Sequence, residues 1–186
     1  NTSIGALTGI ATMNATSTGG ATITAAATTD INLTDGSVDT ATAGEITVNG
    51  GKNVSLTLTA DDAVTAGATG TILVGQTTAA AGTVNVVHTG KYADGGNNAL
   101  TAITVDGGTT VAVTQNAGVT AAQQATALND TSNFTVTQGA VTVNGNASTT
   151  GVTVNQTAAL AVNSTATTGQ IGIANGAVTV TDVNST

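Results

Sequence analysis

The chain carries few groups that could do covalent chemistry. His88 is its one histidine, it has no cysteine, and its only cations are Lys52 and Lys91. A catalytic centre needs a nucleophile, a base and a group that orients the base, all within reach of one another. His88 opens a polar stretch that also holds Lys91 and Tyr92 and runs to Asn98. It reads as a solvated loop, so His88, Lys91 and Tyr92 form a candidate contact loop and not an active site. Glycoside hydrolysis would need two carboxylates roughly 5–10 Å apart. Asp61 and Asp62 are adjacent; on a strand such neighbours diverge, and the pair fits a turn better. No catalytic or cofactor-binding residue is assigned, and the expectation is that the chain is not an enzyme. Calcium takes about 6–8 oxygen ligands. Asp61, Asp62, Asp94 and Asp106 are the residues best placed in the sequence to contribute to such a site, yet no group of them supplies a full set. The Gly-rich turns Gly50-Gly51 and Gly107-Gly108 lack the Lys-Ser/Thr of a phosphate-binding loop.

Whatever these side chains do, an unusual framework must position them. Of 186 residues 43 are Thr, 24 are Gly, and none is Pro, Trp or Arg; charged residues make up 6%. Phe134, Tyr92 and His88 are the only ring side chains. A core built without aromatics must come from close stacking of small β-branched residues. Disordered chains are poor in such residues and rich in charge or Pro, the reverse of this composition. Ten acids against two lysines give a net charge of −8. That excludes nucleic-acid binding, which needs clustered cations to neutralise phosphates, and it excludes anionic membrane surfaces. No apolar run approaches the length of a membrane-spanning helix, roughly 18 residues or more. The chain does not begin with Met and shows no signal peptide, so it is expected to be a segment of a longer secreted chain.

One phrase recurs along the sequence. It reads Glu-Ile-Thr-Val-Asn-Gly-Gly from Glu45, Ala-Ile-Thr-Val-Asp-Gly-Gly from Ala102, Ala-Val-Thr-Val-Asn-Gly from Ala140 and Ala-Val-Thr-Val-Thr-Asp from Ala177. The valines Val48, Val105, Val143 and Val180 recur at intervals close to three, two and two copies of one unit. A second series follows the turns: Val54/Leu56, Ile72/Val74, Val111/Val113, Phe134/Val136, Val152/Val154 and Ile171/Ile173. Strict alternation puts Val on one face and Thr on the other, as in a strand with one buried side. Asn-Gly and Asp-Gly-Gly supply turns, because Gly and Asn tolerate positive φ. Ala121 to Leu128 has helix-tolerant composition and reads as a short helix or loop excursion.

This pattern predicts an all-β fold over residues 1–186, a single continuous domain. The favoured architecture is a β-solenoid, or parallel β-helix, with coils of about 19 residues. The alternative is one or two antiparallel β-sandwiches, since Asn-Gly also closes hairpins.

Val-Thr-Val-Asn-Gly, Val152-Thr-Val-Asn-Gln-Thr157, Phe134 to Val143 and Gly176 to Asn184 resemble the repeats of very long bacterial surface proteins. These are the Thr/Ala/Gly/Asn-rich β-strand-repeat proteins, with S-layer-like and adhesin-like members. The resemblance implies secretion to the extracellular cell surface and self-association through repeat ends or faces. It implies a structural role in a surface layer or filament, with an adhesin stalk binding a surface or a cell-surface glycan as the alternative. Many relatives carry calcium-binding Gly-Gly-x-Gly-x-Asp repeats. The nearest stretch here, Asp94-Gly-Gly-Asn-Asn-Ala-Leu, lacks the third Gly and the following Asp. A remote alternative is ice binding, for which solenoids present Thr-x-Thr; Thr22-Ile-Thr24 and Thr57-Leu-Thr59 have that form.

Overall fold

Period-two alternation of β-branched residues yields strands and no helix among the residues that the computed structural model describes, which are 3–7, 9–38, 46–60, 70–90, 98–119, 134–160 and 171–183. One sheet takes β1 (Ser3–Leu7), β3 (Ala21–Ala25), β5 (Ile46–Gly50), β7 (Thr71–Val74), β10 (Ala102–Asp106), β13 (Val141–Asn144) and β16 (Val178–Thr181), in that order. A second takes β2 (Thr12–Ser17), β4 (Asp30–Val38), β6 (Val54–Ala60), β8 (Val84–Gly90), β11 (Thr110–Val119) and β14 (Gly151–Leu160). A third and smaller sheet holds β9 (Asn98–Ala99), β12 (Phe134–Thr137) and β15 (Ile171–Ala174). Up to β8 the chain alternates between the first two sheets; after β8, β11 and β14 it passes through the third sheet before it returns to the first. Every strand pairing among the described residues is parallel, and strands that pair are separated by a passage through another sheet.

Parallel pairing overturns the antiparallel sandwich. Two adjacent strands of a hairpin would share a sheet. Here Asn49-Gly50-Gly51 joins β5 in the first sheet to β6 in the second, and Asp106-Gly107-Gly108 joins β10 to β11 in the same way. The turn chemistry was legible in the sequence, but these turns lead between sheets and do not fold a strand back on itself.

Register converts the alternation into columns. Ala21, Ile46, Ile72, Ile103, Val141 and Val178 stack in the first sheet, beside Ile23, Val48, Val74, Val105, Val143 and Val180. In the second sheet Ile31, Val54, Val84 and Val111 form one column, and Leu33, Leu56, Val86 and Val113 the next. These side chains point inward and are almost all buried. Burying a Val, Leu or Ile stabilises by about 1.5–3 kcal/mol, so the columns supply the core that aromatics supply elsewhere.

An interval of about 19 residues between paired positions is found at one step of the first sheet. Ile4 pairs with Ile23, one such interval along the chain. The later steps, from Ile23 to Val48, Val74, Val105, Val143 and Val180, are all longer and differ from one another. Register demands only that inward residues meet inward residues. The connections can therefore lengthen while the columns stay in phase: β2 is followed closely by β3, whereas β6 ends at Ala60 and β7 begins at Thr71. Ala121 to Leu128 lies outside the described residues.

The turns stack as well as the strands. Lys52 N donates to Thr29 O at 2.7 Å, Gly82 N to Lys52 O at 2.6 Å, Thr109 N to Gly82 O at 2.7 Å and Thr150 N to Thr109 O at 2.8 Å. A hydrogen-bonded ladder thus continues through the corner after the first sheet. It satisfies backbone groups that a buried turn would otherwise leave unpaired.

Candidate functional site

Each outward or corner position repeats from strand to strand, so the candidate sites are columns. Among the described residues these include two polar ladders at the corners and one polar column inside.

The first corner ladder ties successive turns together. Asn53 Nδ2 donates to Asp30 Oδ1 at 2.8 Å, and Asn53 Oδ1 accepts from Thr83 N at 3.0 Å and from Thr83 Oγ1 at 3.1 Å. Two of these bonds are worth about 1 kcal/mol each once exchange with water is counted. An Asn53→Ala chain is expected to lose roughly 2 kcal/mol, lowering its thermal midpoint by about 2–4 °C per kcal/mol for a chain of this size. The exposed neighbour Lys52 is the control, because Lys52→Ala should move stability by under about 0.5 kcal/mol. Equal melting curves for the two variants would show that the ladder contributes nothing.

The second corner ladder contains Asp106. Its Oδ2 accepts from Gln76 Nε2 at 2.5 Å and its Oδ1 from Asn144 Nδ2 at 2.7 Å, while Thr181 Oγ1 donates to Asn144 Oδ1 at 3.1 Å. Both carboxylate oxygens of Asp106 thus serve the stack. Asp61, Asp62 and Asp94, named with it as calcium candidates, lie outside the described residues. Among the described residues no group of three or more His, Cys, Asp and Glu could hold a metal ion.

The inner polar column corrects the contact loop. His88 is not on a solvated loop: it sits in β8 at 0% exposure. Counting by two from Val84 and Val86 leads to it, so the strand simply continues past the point where composition turns polar. Register places it between Leu58 and Gln115, and Gln115 is followed by Gln156. Lys91 and Tyr92 lie outside the described residues. The amide nitrogens are engaged in bonding. Gln156 Nε2 reaches Gln115 Oε1 at 3.0 Å and Gly139 O at 2.9 Å; Gln115 Nε2 reaches Thr101 O at 3.0 Å; Gln138 Nε2 reaches Thr157 O at 2.6 Å. The same column holds Asp35 lower in the stack, where it accepts from Gly20 N at 3.3 Å and Gly19 N at 3.4 Å. Buried polar groups of this kind stabilise when they are matched; the amide nitrogens are matched, whereas Gln138 Oε1 is buried without a hydrogen-bond partner among the described residues. Sequence reading missed the column because it looked for alternation of Val. The pattern Val-x-Val followed two residues on by His88, Gln115 or Gln156 would have found it.

Two surfaces stand apart from this interior. At the last described turn Val178 is 48% exposed and Val180 43%, though they continue columns in which Val141 and Val143 are at 0%. On the outside of the second sheet, short uncharged side chains recur in register, Thr34 beside Thr57 and Thr59 beside Thr89.

No family model matches the chain, and neither a curated protein nor a solved structure was found to match it.

Proposed function

We propose that the chain is a parallel β-solenoid and serves as a structural building block of a microbial cell surface, secreted and self-associating through the ends of its stack. The observation that carries this reading is the register: the described strands pair in parallel, so inward Ile and Val stack in columns that a further parallel strand can extend. Val178 and Val180, exposed on columns that are buried at Val141 and Val143, show what such a column offers: a strand edge is a template for another strand, of the same chain or of a second copy. Composition fits the same reading, with few charges and few cleavage sites for a trypsin-like protease, and the repeated phrase resembles Thr-rich surface-layer and adhesin repeats. Electron microscopy of the purified protein should show filaments or sheets. A sample that stays monomeric across a wide concentration range, by light scattering and by imaging, would count decisively against the proposal.

The adhesin alternative rested on the loop from His88 to Asn98. With His88 inside, its remaining candidates are Lys91 and Tyr92, and no observation favours it over the structural role.

A further inference from the structure

From the outer face of the second sheet we infer that this chain binds ice. Three outward columns lie side by side there: Asn14, Asn32, Ser55, Asn85, Ala112 and Thr153 at one margin, and two Thr-rich columns next to it. Of these two, one runs Thr16, Thr34, Thr57, Val87, Thr114 and Asn155, and the other runs Thr59, Thr89, Asn116 and Thr157. Seven of these ten positions are Thr, and Val87 keeps the Thr shape with a methyl in place of the hydroxyl. The Thr-x-Thr form that the sequence displayed at Thr57-Leu-Thr59 is thus one row of a grid whose other rows are dispersed in the sequence.

The grid is regular in two directions. Parallel strands repeat at about 4.8 Å, and residues two apart along a strand are separated by roughly 6.6 Å. It is also held in place. Beneath it run the columns of Leu56, Val86 and Val113 and of Leu58, His88 and Gln115, all at 0% exposure. Thr and Val have a single side-chain torsion, restricted by β-branching, and the inner strands β4, β6, β8 and β11 that carry most of the grid are paired on both sides.

A single Thr gains little by meeting a water molecule, since a hydrogen bond to protein replaces one to bulk water. Many contacts add up only when the ligand repeats with the same spacings and engages all of them without further loss of freedom. Ice is the form of water that does so, presenting rows of oxygens at comparable separations. The chemistry of the face selects it further. No charged residue stands in either column, so no tightly held ionic hydration shell disturbs the layer. No aromatic ring stands there either, whereas faces that grip sugar rings stack them on aromatic side chains. The outer face of the first sheet is the poorer candidate. Its column Thr22, Thr47, Leu73, Thr104 and Thr142 is interrupted by a bulky Leu, and Asp106 occupies the neighbouring column.

This inference stands apart from the structural role, because a monomer would carry the grid as well as a filament would. The test measures thermal hysteresis and partition into slowly growing ice. The unaltered chain should widen the gap between freezing and melting and should concentrate in the ice. Thr57→Tyr with Thr114→Tyr, placed in the middle of the grid, should abolish both effects while circular dichroism stays unchanged. Thr104→Tyr with Thr142→Tyr on the other sheet should keep them. A single surface change, Thr89→Lys, should reduce the gap at least severalfold if the larger pair fails to fold. An unaltered chain without hysteresis and excluded from ice overturns the inference. So does equal loss from both Tyr pairs, and so does retention on crystalline cellulose or chitin without any effect on ice.

Discussion

A Gly75→Ala chain is expected to lose most of its stability, while Gly9→Ala loses little. Both glycines have the same left-handed backbone, φ +85 at Gly75 and φ +84 at Gly9. The conformational cost of placing an L side chain there is therefore common to the two, about 1–2 kcal/mol. They differ in what a Cβ would meet. At Gly9 nothing lies within 4 Å; at Gly75 the Cβ would collide with Asp106 O and stand 3.1 Å from its carbonyl carbon. Those atoms belong to the next turn of the stack, and they are backbone, so they cannot rotate away. Relief requires the turn after β7 to separate from the turn after β10, with the corner ladder that crosses it: Gly75 N donates to Val48 O at 2.8 Å on one side, and Gln76 Nε2 reaches Asp106 on the other. A loss above about 4 kcal/mol marks the exceptional class of substitutions, and Gly75→Ala should fall in it. Urea unfolding of both variants checks the claim. A difference under about 1 kcal/mol between them, the size of an ordinary substitution, would mean that the turns are not in contact, and the close stacking would be wrong.

This contrast also shows what could be read from the sequence. Val48, Val105, Val143 and Val180 were aligned by their shared phrase, and register puts all four in one column. The alignment worked because the turn, the strand and the inward Val are repeated together. Val74 belongs to the same column, yet sequence reading placed Ile72/Val74 in the series that follows the turns. Its local phrase, Thr-Ile-Leu-Val-Gly, has Leu73 where the others have an outward Thr, so the outward half of the pattern was missing. The third sheet was illegible for a related reason. Phe134/Val136 and Ile171/Ile173 alternate as any strand does, and period two says which residues share a face but not which sheet receives them. Separation along the chain was no guide either, because the connections vary while the strands keep register.

The polar interior column carries a further lesson. His88 and the carboxamides of Gln115 and Gln156 belong to residue types that are mostly exposed or intermediate in folded proteins, and composition alone sent His88 to a loop. Position along the strand overrides type when the alternation before it is unbroken. The strand carried these groups inward, and the amides among them were then matched to backbone carbonyls and to one another. The same override explains why Thr-rich outer columns form without any local motif. Each outward Thr is simply the residue between two inward ones.

The strongest test of the stack as a whole places one substitution at two heights of one column. Val105→Asp buries a carboxylate at a position with 0% exposure, between Val74 and Val143. An unpaired buried polar group costs about 2–7 kcal/mol and a charge more, against a total stability of about 5–15 kcal/mol. Val105→Asp should therefore unfold the chain or hold it in the aggregated state of a failed fold. Val180→Asp makes the identical chemical change on the same column, where exposure is already 43%. There the carboxylate keeps its water, and the unfolding midpoint in urea should stay close to that of the unaltered chain. Its effect should appear in association instead, since an end that presents a fixed negative charge cannot accept another apolar rung without desolvating it. Filaments or sheets should disappear and sedimentation should report a monomer. If Val180→Asp destabilises as strongly as Val105→Asp, the last rung is as buried as the middle and offers no open end. If it folds and assembles normally, copies of the chain meet through some other surface.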